Sequence, residues 1–497
     1  MVIAREPVFA FDNSYAALPQ RFFARLPPTP VSGARALVLN DALARELGLD
    51  PSRLGDRATV DILSGNRVPA GAAPLAMAYA GHQFGSWVPQ LGDGRAILLG
   101  EIRLPDGTRR DIQLKGAGRT PFSRMGDGRA ALGPVLREYI ISEAMAALGI
   151  PTTRSLAVVA TGEPVYRERT LPGGILTRVA RSHIRVGTFQ FLAARDDTDG
   201  LRLLADHVID RQVPDARGSA SPYRVLLETV VTLQARLIAS WMHVGFIHGV
   251  MNTDNMSISG ETIDYGPCAF MDGYDPRQVY SSIDHAGRYA YGNQPAIGHW
   301  NLACLARALL PLLADTEDAA MTIAREVIDG YPDQFRNAYL AGLAAKLGLA
   351  RSRPGDDKLA QDLLGCMAGS GADHTLTFRR LSALDIEPDH RDTDLFALFA
   401  DPDRCSAWLA SWRARLAHEQ RGDTARRAAM RMVNPSCIPR NHLVEQALEA
   451  AVEHDDTGPF HALLSVLTAP FDERAPNDRY TRPPQPDEVV QATFCGT

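Results

Sequence analysis

The amino-acid sequence predicts an α+β fold with two lobes, a small β-rich N-terminal lobe followed by a larger, mainly helical C-terminal lobe. From Ala78 the chain reads as Gly-punctuated strands, then a turn at Pro105–Gly107 and another strand. After Arg185 the strand patterns give way to helical ones. At 497 residues the chain exceeds the usual size of a single hydrophobic core, so two lobes are expected.

The N-terminal half divides into an extension and the β-rich lobe. Residues 1–70 are rich in turns and Pro, and we expect an extension with one helix near Asn40–Leu49 that carries no chemistry. Residues 71–185 form the β-rich lobe. Its single helix is predicted over Pro134–Leu148, with Pro at its start and Gly149 at its end. Two further strands are predicted at Thr153–Ala160 and Gly174–Arg181.

The C-terminal half is predicted to be mostly helical. Residues 186–440 form the larger lobe, and residues 441–497 form a helical extension with a loose tail. In the first long helix, Arg224–Phe246, apolar residues recur at three- or four-residue intervals, at Leu226, Val230, Leu233, Leu237 and Trp241. Later helices are predicted at Ala296–Leu313, Glu317–Leu349, Lys358–Met367 and His442–His454.

Composition and charge indicate an ordinary globular protein of a reducing compartment. The formal net charge of −6 comes from 52 basic and 58 acidic residues mixed along the chain, which argues against a nucleic-acid or anionic-membrane partner. Six scattered Cys without a C-x-x-C pair indicate neither a zinc site nor a disulfide scaffold. The N-terminus has Glu6 and no continuous apolar run, unlike a secretory signal. The apolar stretch Leu302–Leu313 falls short of the ~20 residues that cross a bilayer. We expect a cytoplasmic monomer.

The most informative segment is His248–Gly266, HGVMNTDNMSISGETIDYG. Kinase catalytic loops read H-R-D-x-x-x-x-N, and His248 and Asn255 reproduce the separation of the His and the metal-binding Asn. Asp264, in Asp-Tyr-Gly, matches the Asp of the D-F-G motif, the second metal ligand. Such a loop between a β-rich and a helical lobe predicts a protein-kinase-like fold.

One position in this loop departs from the kinase pattern. Val250 stands where a kinase has its catalytic base, and Asp254 is the only carboxylate between His248 and Asn255. Either the base has moved to Asp254, or there is none. We expect short strands at Met256–Ile258 and Thr262–Ile263 to hold both metal ligands rigidly, and His248 to be a packing residue. The alternative is an ordinary helix-to-strand loop with Asx turns.

Upstream residues add candidates for phosphate binding. Lys115 closes a strand and Glu138 lies early in the next helix, the order of the phosphate-pairing Lys and its Glu partner in kinases, although solvated surface charges would look the same. Further candidates are the Gly-rich turn Gly92-Asp93-Gly94-Arg95, which could also be a plain hairpin turn, and the glycine-bearing loop Gly116–Arg129, which could cover a nucleotide. Arg178 and Arg185 offer planar forks for phosphate oxygens, or are surface arginines.

Together these residues resemble the selenoprotein O family over nearly the whole chain. The likeness lies in long strings: SYAALPQRFFARLPPTPV, GHQFGSWVPQLGDGRA, LKGAGRTPFSRMGDGRA, REYIISEAMAALGIPTTRSL, HGVMNTDNMSISGETIDYGP and NPSCIPRNHLVEQAL. The resemblance implies a protein-kinase-like fold in which ATP lies inverted, so that its α-phosphate faces the acceptor. It further implies that AMP is transferred to Ser, Thr or Tyr hydroxyls of proteins.

The resemblance also implies roles for individual residues. Asp254 becomes the proton acceptor, and Asn255 and Asp264 become ligands of Mg²⁺ or Mn²⁺. Lys115 contacts phosphate with Glu138 as its partner. Residues implied in nucleotide binding, besides Lys115 and Asp264, are Gly92, Gly94, Arg95, Asp127, Gly128, Arg178 and Arg185. The family places selenocysteine or cysteine third from the end, where this chain has Cys495, a redox handle or an incidental thiol.

Residue chemistry alone leaves several functions open. The same metal ligands serve attack at the γ-phosphate, so a true kinase is an alternative to AMP transfer. UMP transfer from UTP is a further variant. A catalytically dead nucleotide-binding scaffold is a third alternative, because no Asp stands at Val250.

Overall fold

The computed structural model describes residues 8–475 and 478–494 of the chain, so the prediction for Cys495 lies outside the described residues. The fold is mixed α+β. Its main sheet has the strand order β1-β3-β6-β7-β10-β9-β2, with β8 paired to β10, and neighbouring strands run antiparallel. Two short pairs, β4-β5 and β11-β12, lie outside it. The strands are β1 Phe23–Arg25, β2 Arg35–Leu39, β3 Leu75–Met77, β4 Gly81–Gln83, β5 Ser86–Val88, β6 Ala96–Arg103, β7 Arg109–Lys115, β8 Ala130–Ala131, β9 Arg154–Tyr166, β10 Thr170–Ala180, β11 Phe246–Ile247 and β12 Ala269–Phe270.

Helices dominate the chain after β10, as the sequence predicts. Three helices lie within the sheet region and thirteen follow it in the described residues. They are α1 Asp41–Glu46, α2 Arg57–Leu63, α3 Leu132–Ala147, α4 Val186–Ala193, α5 Thr198–Gln212, α6 Pro222–His243, α7 Gln294–Leu313, α8 Glu317–Asp329, α9 Tyr331–Lys346, α10 Asp356–Ser370, α11 His374–Leu381, α12 Arg391–Phe396, α13 Pro402–Leu416, α14 Asp423–Arg431, α15 Asn441–Glu453 and α16 Gly458–Leu467.

The first 70 residues do more than extend from the sheet, because they supply both of its edge strands. Strand β1 pairs with β3, and β2 pairs with β9 at the opposite edge. Helix α1 begins after Asn40, whose Oδ1 accepts a hydrogen bond from the Leu43 backbone N–H at 3.0 Å. The predicted N-terminal extension thus contributes strands to both edges of the main sheet.

The long hairpin of β9 and β10 runs past its predicted bounds. The sequence suggests an end near Ala160, because Gly162, Pro164 and Pro172 read as strand breakers. In the structure Pro164 and Pro172 pair with each other, and Gly162 lies within β9 at a register shift between Pro172 and Gly174. The hairpin carries Arg178 into the centre of the sheet, beside β7.

Helix α3 packs on the sheet and starts two residues before its predicted start. Pro134 falls in its first turn, where a missing N–H costs nothing. Gly149 follows the helix with φ +76°, a left-handed conformation that ends it without a Cβ penalty. Apolar residues such as Leu136, Tyr139 and Ile140 are buried in the core.

Helices α6 and α7 form the centre of the helical region. The stretches Pro222–His243 and Tyr291–Leu313 are long and apolar enough to cross a membrane by length and composition, so the expectation that the apolar stretch ending at Leu313 is too short for this is wrong. The predicted stretch was too short because α7 continues N-terminally from Leu302 to Gln294. In the most apolar windows of these two stretches, 61% and 50% of the residues are buried within the fold. A buried core helix of a soluble protein has the same length and apolar composition as a membrane-spanning helix, which accounts for the match.

The predicted strands after the metal loop are also wrong. Met256–Ile258 and Thr262–Ile263 each form only one isolated bridge, Ser257 with Arg185 and Thr262 with Thr152. Local side-chain hydrogen bonds compete with strand pairing in this segment, since the Ser257 and Ser259 hydroxyls bond to each other at 2.8 Å. Backbone bonds such as Thr153 N to Thr262 O, 2.9 Å, still fix the segment.

Arg440 ties the C-terminal segment to the rest of the helical region. It is fully buried just before α15, and its guanidinium donates to Asp272 at 2.5 Å, to Asp373 at 2.7 Å and to the Thr481 carbonyl at 3.0 Å. Asp373 in turn caps α11 through the Leu376 N–H. One side chain thus links the tail, α11 and α15.

We predict that Arg440→Met lowers the unfolding free energy by about 3–5 kcal/mol, because it leaves the buried Asp373 and the partly buried Asp272 without their cation. Denaturant unfolding followed by circular dichroism measures the loss. Lys358→Ala, which breaks an exposed pair with Asp362, serves as the control and should change stability little. Equal stability of the Arg440→Met variant and the parent would contradict this account.

Candidate active site

The site begins with a buried ion pair between the sheet and α3. Lys115 ends β7, and its Nζ donates to Glu138 Oε2 on α3. Both side chains are buried. Burial lowers the pKa of Lys115 to about 8, although Glu138 opposes the shift. Burial alone would raise the pKa of Glu138, but Arg178 and Lys115 outweigh it and hold that pKa below its usual value.

Arg178 joins this pair to Asp264, one of the two predicted metal ligands. It lies on β10, where the register sets it opposite Gln113 of β7. Its Nε donates to Glu138 Oε1 at 2.5 Å, and its Nη2 donates to Asp264 Oδ1 at 2.6 Å. Burial opposes its charge, yet Glu138 and Asp264 raise the pKa of Arg178 above its usual value. A single planar fork therefore spans two carboxylates from different parts of the chain.

Arg185 holds the other side of Asp264. It precedes α4, and its Nη1 donates both to Asp264 Oδ2 and to the Asp254 carbonyl, the latter at 2.6 Å. The guanidinium lies over the Tyr79 ring, 4.8 Å from the centroid. Arg185 thus links the loop of Asp254, the Asp264 segment and the start of the helical region.

Asp264 is the centre of the cluster. Burial would raise the pKa of its carboxyl, but Arg185, Arg178 and Lys115 together hold it well below the usual range, so the group is anionic. Its backbone adopts φ +63°, a left-handed conformation that costs a non-Gly residue about 1–3 kcal/mol. Strained backbone of this kind concentrates at functional sites.

Asp254 and Asn255 form a short 3₁₀ turn beside Asp264. Gln83 Nε2 donates to Asp254 Oδ2 at 3.2 Å, whereas Asp254 Oδ1 is buried without a hydrogen-bond partner in the described residues. Burial raises the pKa of Asp254 to about 6, against the opposing effects of Arg185 and Gln83. A buried acceptor oxygen without a donor is suited to receive a proton or a hydroxyl group. Val250, the kinase-base position, is buried and apolar.

The donor set fits a divalent cation held together with a nucleotide. Asn255 Nδ2 donates to the Val250 carbonyl at 2.9 Å, which leaves Oδ1 as the acceptor available to a metal. Each Asp264 oxygen accepts one arginine and keeps a lone pair. Residues 8–475 and 478–494 contain no cluster of three or more His, Cys, Asp or Glu that could hold a metal. Mg²⁺ commonly uses one or two protein oxygens, with phosphates and water completing the shell.

The glycine-bearing loop lies against the start of β6. A Cβ on Gly92 would lie 2.4 Å from the Phe122 ring, and one on Gly94 would lie 2.9 Å from the Phe122 carbonyl oxygen. The glycines therefore admit a close approach of loop and strand. The hairpin-turn alternative is wrong, because β5 and β6 do not pair with each other. Arg95 lies beside the Lys115 end of β7, since its carbonyl accepts the Gly116 N–H at 2.6 Å.

Two predicted nucleotide-binding residues stand apart from the charged cluster. Asp127 forms a partly exposed ion pair with Arg167 at 2.9 Å, and none of its hydrogen bonds reaches Lys115, Glu138 or Asp264. Gly128 has φ +71° and packs against the Gly118 backbone. Asp127 and Gly128 thus shape the loop that follows Lys115, and their nucleotide role stays a prediction.

The structure adds residues that the sequence reasoning missed. Gln83 contacts Asp254, and Asp93 receives the Gln113 amide at 3.2 Å while lying 3.9 Å from Arg185. Asp93 stands between two glycines already noted, and Gln83 belongs to the quoted string GHQFG. Both residues therefore lie in segments that the sequence analysis singled out. Nothing in the sequence, however, relates Gln83 to Asp254 some 170 positions away.

A cleft of about 480 Å³ opens elsewhere, between α1, the end of α3 and β10. Its charged lining residues are Glu46, Arg110, Arg154, Arg181 and Glu261. None of the predicted site residues lines it, so the candidate site is the charged cluster rather than this cleft.

Comparison with known proteins identifies relatives over the whole length of the chain. The sequence profile of the family described as "Protein adenylyltransferase SelO" matches residues 8–468. Proteins named "Protein nucleotidyltransferase YdiU" from Rhodopseudomonas palustris strains HaA2 and BisB5 are 62% and 63% identical over 489 residues, 98% of this chain and 99% of theirs. The protein of that name from Bradyrhizobium sp. strain BTAi1 is 61% identical over the same shares. These matches confirm the resemblance inferred from the sequence, and the chain belongs to the protein adenylyltransferase SelO family.

Proposed function

We propose that the protein transfers AMP from ATP to Ser, Thr or Tyr hydroxyls of acceptor proteins and releases pyrophosphate. The observation that carries this proposal is the juxtaposition of an anionic Asp264, held by Arg178 and Arg185, with the buried Asp254 carboxylate. Phosphate-binding cations and a proton acceptor then border the same space. The family match and the names of the relatives support the reaction type.

In this proposal the cations bind the triphosphate. Lys115, Arg178 and Arg185 are buried and paired to carboxylates, and phosphate oxygens can accept from the same forks. Asn255 and Asp264 would hold Mg²⁺ or Mn²⁺, which supplies neutralisation of phosphate charge when bound. Glu138 positions Lys115 and Arg178, so it acts through them.

Asp254 is proposed to take the acceptor proton. The hydroxyl oxygen attacks the α-phosphorus, its proton passes to the Asp254 carboxylate, and the bond to the pyrophosphate oxygen breaks. Oδ1 is the oxygen suited to this step, because Gln83 already occupies Oδ2. Positioning and electrostatic stabilisation supply most of the rate in such transfers.

The finer fold and cellular assignments belong to the same proposal. We assign a protein-kinase-like bilobal fold with a lobe over residues 71–185 and a second over 186–440, because the Lys–Glu pair and the metal loop occupy those parts in kinase order. We further propose a monomeric cytoplasmic enzyme without nucleic-acid or membrane partners, supported by the mixed charges of the chain.

The phosphate of ATP that is transferred to the acceptor, α or γ, distinguishes AMP transfer from the kinase alternative. We predict that protein incubated with metal and α-labelled ATP gives labelled acceptor, whereas γ-labelled ATP gives none. Intact-mass spectrometry then shows an adenylyl adduct. Label retained only from the γ-position would establish a kinase instead, and a preference for α-labelled UTP would establish UMP transfer.

Removing the central carboxylate should abolish the reaction. We predict that Asp264→Ala lowers AMP transfer below detection, because a metal ligand and the partner of two arginines are lost, while Lys115→Ala lowers kcat/KM by about 10²–10³-fold. Asp264→Asn keeps the shape and tests the charge alone. Circular dichroism confirms that each variant folds. Parental labelling by both alanine variants would show that this site is not the active site and would favour a different centre.

The proton acceptor has a separate signature. We predict that Asp254→Asn lowers kcat by about 10²–10⁴-fold, the usual contribution of a general base, while the nucleotide Kd stays near the parental value. Single-turnover transfer and nucleotide titration measure the two quantities. An unchanged kcat would remove Asp254 from the mechanism, and a biological effect that survives Asp254→Ala together with Asp264→Ala would favour the scaffold alternative.

A further inference from the structure

The β4–β5 hairpin is fixed onto the catalytic loop beside Asp254. The His82 N–H donates to Thr253 Oγ1 at 2.7 Å, and the Phe84 N–H donates to Asn252 Oδ1 at 3.0 Å. The Gln83 amide reaches Asp254 Oδ2. Gly81 lies so close that a Cβ there would be 2.7 Å from Asp254 Oδ1. The hairpin therefore forms a rigid border next to the proposed proton acceptor.

The side of this hairpin away from Asp254 carries aromatic rings. The His82 ring centroid lies 4.9 Å from that of Trp87 and 5.1 Å from that of Trp300 on α7. Trp87 is 40% exposed. The guanidinium of Arg288 lies over the Trp300 ring, 4.9 Å from its centroid. Exposed Trp with Arg is the composition typical of binding hot spots.

Two arginines make this aromatic surface positive. In the part of the chain that the structure describes, neither Arg288 nor Arg307 forms an ion pair with a carboxylate, and Arg288 Nε is buried without a hydrogen-bond partner. Arg307 lies two helical turns beyond Trp300 on the same face of α7, and Arg288 lies over the Trp300 ring that His82 contacts. Burial, and then Arg307 and Arg288, lower the pKa of the His82 ring. Arg178 and Arg185, in contrast, are neutralised by carboxylates.

We propose that His82, Trp87, Arg288, Trp300 and Arg307, named here the hairpin surface, bind the acceptor protein through an acidic segment that also carries an aromatic residue. Charge complementarity selects this occupant, since unpaired guanidiniums favour carboxylates and the rings favour an aromatic side chain. An extended segment advances about 3.3 Å per residue, so acidic residues a few positions from the acceptor hydroxyl reach the arginines. This inference rests on the proposed function.

Single-stranded nucleic acid is the other ligand that stacks on aromatic rings beside arginines. The chain has a net charge of −6, and the hairpin surface has only these two arginines as fixed cations, so an extended phosphate backbone finds little of the charge that such binding needs. The acidic protein segment is therefore favoured, and an oligonucleotide competitor tests the difference.

The test uses the full-length protein with a non-hydrolysable ATP analogue and metal. The probes are fluorescein-labelled peptides with one Ser and one Phe, flanked by Glu in one peptide and by Lys in its partner. Fluorescence polarisation should give at least about tenfold tighter binding of the Glu peptide, weakening with salt. Arg288→Glu with Arg307→Glu should remove this preference, and Arg277→Glu with Arg336→Glu is the matched control at exposed positions.

Further measurements distinguish three outcomes: a variant that does not fold, failure of the acidic-segment proposal, and failure of the proposed AMP transfer. Arg307→Ala changes an exposed position and replaces the double variant if that one does not fold; it should weaken binding of the Glu peptide by itself. Equal binding of the Glu and Lys peptides, unchanged binding by either variant, or full displacement of the Glu peptide by oligo(dT) would overturn the acidic-segment proposal. AMP transfer with no preference for the Glu peptide would support the proposed function and overturn the acidic-segment proposal. Tighter binding of the Glu peptide without any AMP transfer would overturn the proposed function and support the acidic-segment proposal.

Discussion

The structure depends on a network of charges that are buried and must therefore hold one another. Asp264 lies between Arg178 and Arg185, and Arg178 also binds Glu138, which binds Lys115. Each of these charges would be costly to remove from water alone, so each needs its partners in good geometry. The network joins β7, α3 and β10 to the loop of Asp264, and it fixes the site before any ligand enters.

The same network explains how one site can be both stable and receptive. Its guanidiniums use carboxylates as partners, and phosphate oxygens offer the same planar recognition. Asp264 remains anionic under all ordinary conditions, because its cations hold its pKa well below the usual range. Asp254, next to the network but only weakly bonded, has a raised pKa of about 6 and one oxygen without a donor. The two carboxyl groups therefore differ in the direction of their pKa shifts through environment alone.

The sequence predicted which residues form the central cluster, but not how they meet. Lys115, Glu138, Asn255 and Asp264 follow the order of a known reaction type, which made them recognisable, and the family they predicted is confirmed. The clamp of two arginines on Asp264 could not be predicted, because an isolated Arg carries no sign of its partner. Tertiary contacts across about 170 positions, such as Gln83 with Asp254, leave no periodic signal.

Elements whose structure is set by local sequence patterns could be predicted. Strands whose structure depends on distant pairing partners could not. The stripe of α6 and the glycine stop of α3 follow from local chemistry, and both helices formed close to their predicted bounds. Edge strands β1 and β2 are short, and their pairing with distant strands is fixed by the whole sheet. Around Ser257 and Thr262 side-chain hydrogen bonds replaced the expected strands by single bridges.

The most direct test of the central claim is a crystal structure of the protein with a non-hydrolysable ATP analogue and Mn²⁺, whose anomalous signal locates the ion. The account predicts an ion coordinated by Asn255 Oδ1 and an Asp264 oxygen, with the α-phosphate on the Asp254 side and Lys115, Arg178 or Arg185 on the phosphates. An ion bound away from Asn255 and Asp264, or a nucleotide outside the charged network, would contradict it.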